Sequence, residues 1–404
     1  MSKISQLLRR LHPPKIRLLG VVAVVAVVAV CAAGWQFVNT LPQKQSFSAA
    51  KDCRTVAILL PETGPAQRWE GTDRPELERQ IAEKLAPMLE AKGSELTLLY
   101  FNANGNGQTQ EQQAELALQK NACILIVGAA SDNGSRIVQK AKSKQVPVIA
   151  YDRMIQDDDL AYYISFDSQG VGRMQGDYIV EKLRHEQTWE RPVKFIVING
   201  DEKDNNTEKL RAGLSEKLDF YINQGQIKQV GGDKYIPGWN GEQAAKDVQE
   251  LLNRYPDIKI VWVANDRMAS EIIKVNRQKI QMEEILITGQ DGTINSLTNI
   301  EKKLQGMTVC KDSKDTAERT AKLVEALFEG VAPSSRDILN DKTLAIKREI
   351  PSYISREVFE VTQNNFQDKV NRTSDGSIAL EGTCKGKSKN VGGASPESTN
   401  PEEK

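Results

Sequence analysis

Two histidines and five cysteines are all that 404 residues contain of the side chains most often used to hold zinc. No Cys-x-x-Cys pair and no Cys/His spacing groups them, which excludes the common tetrahedral zinc centres. Ser/His and Cys/His pairs for nucleophilic catalysis are missing as well. An excess of either charge is also absent, because 54 Lys and Arg face 54 Asp and Glu. Nothing global therefore attracts nucleic acid or an acidic polymer. What is present, 39% hydrophobic and 27% charged residues, suffices for a large core, and the length allows two domains.

The neutral balance is itself a cancellation. Lys3, Arg9, Arg10, Lys15 and Arg17 occupy the first seventeen residues without one acid, leaving 49 basic against 54 acidic groups, a net charge of −5, in the rest. Leu18 to Val38 then follow as 21 uncharged residues, mostly Val and Ala. As a helix they would span about 30 Å, a bilayer core. The basic flank orients such a segment with its positive side in and the remainder exported. Residues 1–38 thus read as a basic leader with a signal anchor. A cleaved signal peptide, with Ala32, Ala33 and Gly34 near the cut, and a lipoprotein acylated at Cys31 are the alternatives. Residues 39–53 are polar, without periodicity, and read as a linker.

Export permits disulfides. Cys53 directly precedes the apolar run Val56 to Leu60, and Cys123 precedes Ile124 to Val127. If those runs are neighbouring parallel strands, the two thiols share one sheet edge and can bridge, leaving Cys310 and Cys384 as the other pair. Reduced, buried cysteines fit the sequence equally well.

From residue 54 short Val/Ile/Leu runs alternate with amphipathic stretches, the pattern of parallel strands joined by crossover helices. Strands are expected at 55–61, 96–103, 123–129, 146–152 and 162–167, and a second set at 193–200, 227–235, 258–266, 284–291 and 307–312. The fold class is α/β, two Rossmann-like halves with parallel sheets. The tail from 367 to 404, rich in Gly, Ser, Asn and Pro, reads as disordered.

In open α/β sheets ligands bind beyond the carboxyl ends of the strands. Those ends are polar and mutually alike: Arg68-Trp69 beyond Pro61, Asp152-Arg153, Asp167, Asp204-Asn205-Asn206, Asn265-Asp266, Gln290-Asp291 and Lys311-Asp312, with Gly238-Trp239 adding an aromatic face. Any one pair could be a helix cap, since Asp and Asn favour that position. Caps do not require Arg153, Gln290, Lys311 or two exposed tryptophans. Arg and Lys donors, amides, carboxylates and indole faces together suit a neutral polyol, with hydroxyls at its rim and C–H faces above and below.

Arg68-Trp-x-x-x-Asp-Arg74, IAYDR (149–153), YYISFD (162–167), DNN (204–206), GWN (238–240), NDR (265–267), ITGQD (287–291) and MTVxKD (307–312) occur in a fixed order. In these motifs the chain resembles the type I periplasmic sugar-binding proteins of ABC transporters, in particular the D-xylose-binding and multiple-sugar receptor group, over residues 54 to 366. The resemblance implies two lobes joined by a three-crossover hinge, residues 54–168 with 312–345 and residues 169–311 with 346–366. It implies a monomer that captures xylose or a related aldose and delivers it to an ABC permease, without cofactor, metal or catalysis. Carried over by position, Arg68, Trp69, Asp152 and Arg153 come from the first lobe and Asp204, Asn206, Trp239, Asn265 and Asp291 from the second, with Lys311 at the return. Trp69 and Trp239 would stack on the sugar, Asp152, Asp204 and Asp291 accept from hydroxyls, and Arg68, Arg153, Lys311, Asn206 and Asn265 donate. Asn205 and Asp266 would cap helices, and Asp167 would serve as hinge or cap. Cys310 departs from the family, whose members commonly carry a bulky residue there, and a link to Cys384 would account for it.

A tethered receptor suits a cell without an outer membrane. A membrane-bound sensor that reports sugar to a kinase or chemoreceptor uses the same site and is the alternative. A repressor of the lac class lacks its helix-turn-helix here. Glycosidase chemistry between Asp152 and Asp291 is disfavoured, since the surrounding donors lower carboxylate pKa values where a general acid needs one raised.

Overall fold

A computed structural model describes residues 49, 52–62, 68–186, 191–282, 284–331, 333, 338–379 and 384. The leader, and with it the anchor, the cleavage site and Cys31, lies outside them, as do most of the linker and most of the tail. No helix among the described residues is long and apolar enough to cross a membrane.

Continuous apolar runs that are buried on both faces make the central strands. Thr55–Leu60 (β1), Ile124–Val127 (β3), Val148–Tyr151 (β4) and Tyr162–Phe166 (β5) are buried at every residue, as parallel strands covered by helices on both sides must be. With Thr97–Asn102 (β2), Asp341–Leu344 (β12) and Glu349–Ser355 (β13) they form a seven-stranded sheet in the order β12-β13-β5-β4-β3-β1-β2. Every pair in it is parallel except β12 with β13. Helices Arg74–Glu90 (α1), Gly107–Gln119 (α2) and Gly134–Ser143 (α3) link the first four strands, and separate apolar cores lie on the two sides of the sheet.

The chain leaves this lobe at Asp167, whose carboxylate accepts from Gly170 N at 2.8 Å and caps Ser168–His185 (α4). The second lobe has a four-stranded parallel sheet, β7-β6-β8-β9, made of Val193–Asn199 (β6), Ile227–Tyr235 (β7), Ile258–Val263 (β8) and Leu286–Ile287 (β9). Beside it a three-stranded sheet sets Met307–Lys311 (β11) between Gln290–Asp291 (β10) and Val358–Thr362 (β14). Helices Asn205–Asn223 (α5), Gly241–Arg254 (α6), Asp266–Met282 (α7) and Ile294–Glu301 (α8) complete it. Helices α4 and α5 touch backbone to backbone, since a Cβ on Gly172 would stand 2.1 Å from Leu210 O and one on Gly213 2.1 Å from Gln169 O.

Ser313–Glu329 (α9) returns to the first lobe and packs on α1. The third crossing corrects the expected boundary. The resemblance places residues 346–355 in the second lobe, yet β13 pairs in parallel with β5 (Ser352 with Tyr163, Ser355 with Phe166), so the chain crosses only at 356–357. The crossing strands are joined to one another: Asp167 N donates to Ser355 O at 2.9 Å and Asp312 N to Glu357 O at 3.1 Å.

The tail is also not disordered throughout. Phe366–Lys369 (α10) is helical, and Val370 bridges to Cys384. Phe366 and Val370 fill a small core with Leu297, Ile300, Cys310 and Val361, while Ile378 and Cys384 lie against it. Few apolar residues are involved, but each is placed inward. Of the two alternatives left open by the sequence, cystines rather than thiols are present, Cys53–Cys123 with Cα atoms 5.6 Å apart and Cys310–Cys384 with 6.2 Å. The first sits where β1 and β3 begin, since these strands are parallel neighbours.

Candidate functional site

The carboxyl ends of both parallel sheets face one cleft between the lobes. Arg68, Trp69, Asp152, Arg153, Asp204, Asn206, Trp239, Asn265, Asp291 and Lys311, drawn from seven separate loops or strand ends, all line it. Glu62, Arg267, Ser270, Glu271, Gln290, Thr293 and Asn295 line it too.

Arg68 and Trp69 open the segment between β1 and α1, where Trp69–Asp73 forms a π-helical turn. Such turns recur at functional sites because they push side chains out of helical register. The Arg68 guanidinium is buried and clamped by Asp73 (2.6 Å from Nε, 3.1 Å from Nη2) and by Asp152 at 3.0 Å, with Asp291 of the second lobe at 3.7 Å. Asp73 takes a further hydrogen bond from Tyr151 Oη at 2.7 Å. Burial works against the Arg68 charge, but Asp152, Asp73 and Asp291 outweigh it and hold its pKa well above the ordinary value.

Asp152 follows β4 with φ at +64°, a left-handed conformation uncommon outside glycine. Its carbonyl accepts from Tyr163 Oη (3.0 Å), Ser165 Oγ (2.8 Å) and Asn206 Nδ2 (2.9 Å), which over-determine the turn and aim the carboxylate into the cleft. Burial alone would raise the Asp152 carboxyl, yet Arg68, Lys311 and Arg153 outweigh it and hold it below its usual range. Asp291 has φ at +106° and Trp239 +53°. Three cleft residues thus occupy backbone regions rarely adopted by residues with a Cβ, strain of the kind that collects at binding sites.

Second-lobe residues are set largely by helix starts. Asp204 caps α5 by accepting from Asn206 N at 3.0 Å, and Asn265 accepts from Met268 N at the start of α7. The second Asp204 oxygen takes Trp239 Nε1 at 3.2 Å and faces Arg153 Nε at 3.2 Å. Burial pushes the Asp204 carboxyl up, and Arg153 only partly offsets this. The expectation that every cleft carboxylate is lowered therefore holds at Asp152 and fails at Asp204, where burial wins.

Charges also join the lobes. Glu62 of the first accepts from Arg153 at 3.0 Å and from Arg267 of the second at 2.5 Å. Lys203 reaches Asp132 at 2.8 Å, and Met154 N donates to Asn205 Oδ1 at 3.3 Å. Asn205, expected to cap a helix, instead spans the two lobes. Lys311 stands 3.3 Å from Asp291 and 4.0 Å from Asp152.

The tryptophans depart from expectation in being buried, Trp69 at 6% and Trp239 at 5% exposure. Trp69 lies under the Arg68 guanidinium at 4.7 Å with its edge toward Tyr151. Trp239 rests on the strand end at Gly200, where a Cβ would come within 2.3 Å of the indole. Both line the cleft.

Asp266 does not line the cleft; it sits behind it, accepting from Thr293 N at 2.9 Å and from Thr308 Oγ1 at 2.8 Å. Burial first, then the charge of Asp291, pushes its carboxyl up to about 7. Two groups in the cleft, Gln290 Oε1 and Ser270 Oγ, are buried without a partner among the described residues. Each is ready for a hydroxyl. Glu62 was readable by the strand-end rule, as it follows β1, and Arg267 stands inside the NDR motif. Ser270, Glu271, Thr293 and Asn295 lie within or beside helix starts and carry no sequence signal. No group of three or more His, Cys, Asp or Glu able to hold a metal occurs among the described residues.

Residues 72–331 match the family described as periplasmic binding protein domain. A D-xylose-binding periplasmic protein of Escherichia coli (strain K12) is 30% identical over 308 residues, covering 75% of this chain and 86% of its own. A multiple sugar-binding periplasmic receptor of Rhizobium radiobacter is 28% identical over 337 residues, covering 79% and 89%. Among solved structures, an ABC transporter solute binding protein from Clostridium phytofermentans with bound β-D-glucose superposes with a TM-score of 0.65 at 26% identity, over 78% of this chain and 95% of that one. These relatives are named as binding proteins, not enzymes.

Proposed function

Because the chain belongs to the periplasmic binding protein family, we propose that it is an exported receptor that closes on a neutral monosaccharide, xylose or a related aldose, and delivers it to an ABC permease. The observation that carries this reading is the balance of the cleft. Five carboxylates (Glu62, Asp152, Asp204, Glu271, Asp291) and four cations (Arg68, Arg153, Arg267, Lys311) line it. An anionic ligand would need surplus cations, whereas a polyol needs both donors and acceptors, two flat apolar faces, and unengaged groups such as Gln290 Oε1.

In this reading Asp152, Asp204 and Asp291 accept hydroxyl protons. Arg68, Arg153, Lys311, Asn206 and Asn265 donate to oxygens, and Trp69 and Trp239 cover the C–H faces. The contacts that already cross the cleft, Glu62 to Arg267 and Arg153 to Asp204, belong to the closed form that a permease would recognise. The leader at 1–38 would keep the receptor at the outer face of the membrane. No observation favours the sensor alternative.

Titration of the protein with xylose, glucose, arabinose and galactose tests the reading by calorimetry and tryptophan fluorescence. At least one sugar should release or absorb heat and shift the emission, since two indoles border the cleft. The absence of either signal with every sugar would sink it.

A further inference from the structure

Cys310 is fully buried, precedes the cleft residue Lys311 in β11 and lies opposite Asp291 in the strand register. Successive strand residues face opposite sides, so with Lys311 in the cleft Cys310 points into the small core behind it. There it is bonded to Cys384, which arrives with the tail and is bridged to Val370. The two sulfurs fill the space that a side chain at 292 would take. A Cβ on Gly292 would stand 2.4 Å from Cys310 Sγ and 2.6 Å from Cys384 Sγ. Gly292, with φ at +70°, immediately follows Asp291, with φ at +106°.

We propose that the Cys310–Cys384 cystine is a positioning element for the cleft, a back wall that holds Asp291 and Lys311 where they meet Arg68 and Asp152. Asp291 sits in a backbone region that persists only when its surroundings over-determine it. Behind it, Gly292 abuts the two sulfurs, Gly292 N donates to Thr308 Oγ1 at 3.3 Å and Thr293 N to Asp266 at 2.9 Å, and of these only the sulfurs depend on the tail. Releasing Cys384 removes that wall together with the tail that carries it, and Asp291 can then relax away from Lys311 and Arg68. The other cystine, Cys53–Cys123, lies at the amino ends of β1 and β3, far along the strands from the cleft, and has no such role.

The consequence for affinity rests on the sugar reading, while the positioning itself does not, so the experiment reads both. In full-length protein carrying Cys384→Ser, amide hydrogen exchange over 288–293 and 307–311 should rise about tenfold or more with β3 and β4 unchanged, and affinity for the sugar that binds wild type should fall about tenfold. The double variant Cys53→Ala/Cys123→Ala should lower thermal stability and leave affinity as it was. Unchanged exchange over 288–293 in Cys384→Ser overturns the proposal, as does an equal loss of affinity in both variants. If Cys384→Ser does not fold, Cys310→Ala/Cys384→Ala, which leaves no unpaired buried thiol, is read in the same windows with the same criterion. If wild type binds no monosaccharide, the sugar reading fails and the exchange data alone decide the positioning.

Discussion

In the first lobe, Arg68 is held by side chains: two oxygens of Asp73, one of Asp152, and a tyrosine hydroxyl that fixes Asp73 in turn. In the second, Asp204 and Asn265 are held by the helix starts they cap, and Trp239 and Asp291 by backbone turned to positive φ. Main-chain geometry sets residues in both lobes, Asp152 included, but only the first lobe adds a buried ion network around its central arginine. A network fails as a unit when one partner is lost, whereas a cap or turn can be restored locally by another residue with the same backbone preference.

The sharpest way to break that contrast is Asp73→Ala. It takes two of the three side-chain hydrogen bonds from a buried guanidinium and leaves Asp152 alone to hold it, and the loss should be about 3–5 kcal/mol in chemical denaturation, with sugar binding gone. A loss below about 1 kcal/mol would mean that the network is not what holds Arg68. A smaller effect is expected at Asp204. Removing its cap with Asp204→Ala should cost about 1 kcal/mol or somewhat more. Asp204→Ser should recover most of that stability but not the affinity, because serine caps α5 without reaching Arg153 or Trp239. If serine restores both, the cap alone matters and Asp204 is not a ligand residue.

The smallest effect is a pH slope. Asp266 is pushed up to about 7, by burial and then by Asp291, above an unfolded value of about 4. Its proton therefore favours the folded state. That contribution is complete below the unfolded value and lost as pH rises through 7. Tm should fall between pH 6 and 8, by the equivalent of roughly 1 kcal/mol from this group, and Asp291→Asn should flatten the fall. Identical slopes would show that the second lobe keeps its cleft and its interior electrically separate.

The residues legible in the sequence were those at strand ends, because a single rule places them: parallel strands deliver their last residues to a common edge. Asp152, Asn265 and Asp291 were found that way, and Glu62 was missed although the same rule applies, since only Pro61 separates it from β1. Strands β12 and β13 escape for a different reason. Asp341–Leu344 is an exposed edge and Glu349–Ser355 contains Pro351, so neither shows the buried apolar run of β1 or β3. The order in the tail is hidden because composition averages over position: Val370, Ile378 and Cys384 are diluted among polar residues, yet they meet in one small core. The tryptophans are buried because each packs into the core of its own lobe, Trp69 with the β1 and β4 side chains and Trp239 against Gly200, a tertiary fit without local signature.

The Cys53–Cys123 bond has a mechanical meaning. It joins the starting ends of two adjacent strands, and the cleft opens at their finishing ends. Tension applied to the chain ahead of Cys53 enters the sheet through two strands at once, so β1 cannot be peeled from β3 before a covalent bond carries the load. A protein pulled or immobilised from that side should keep its mouth undistorted.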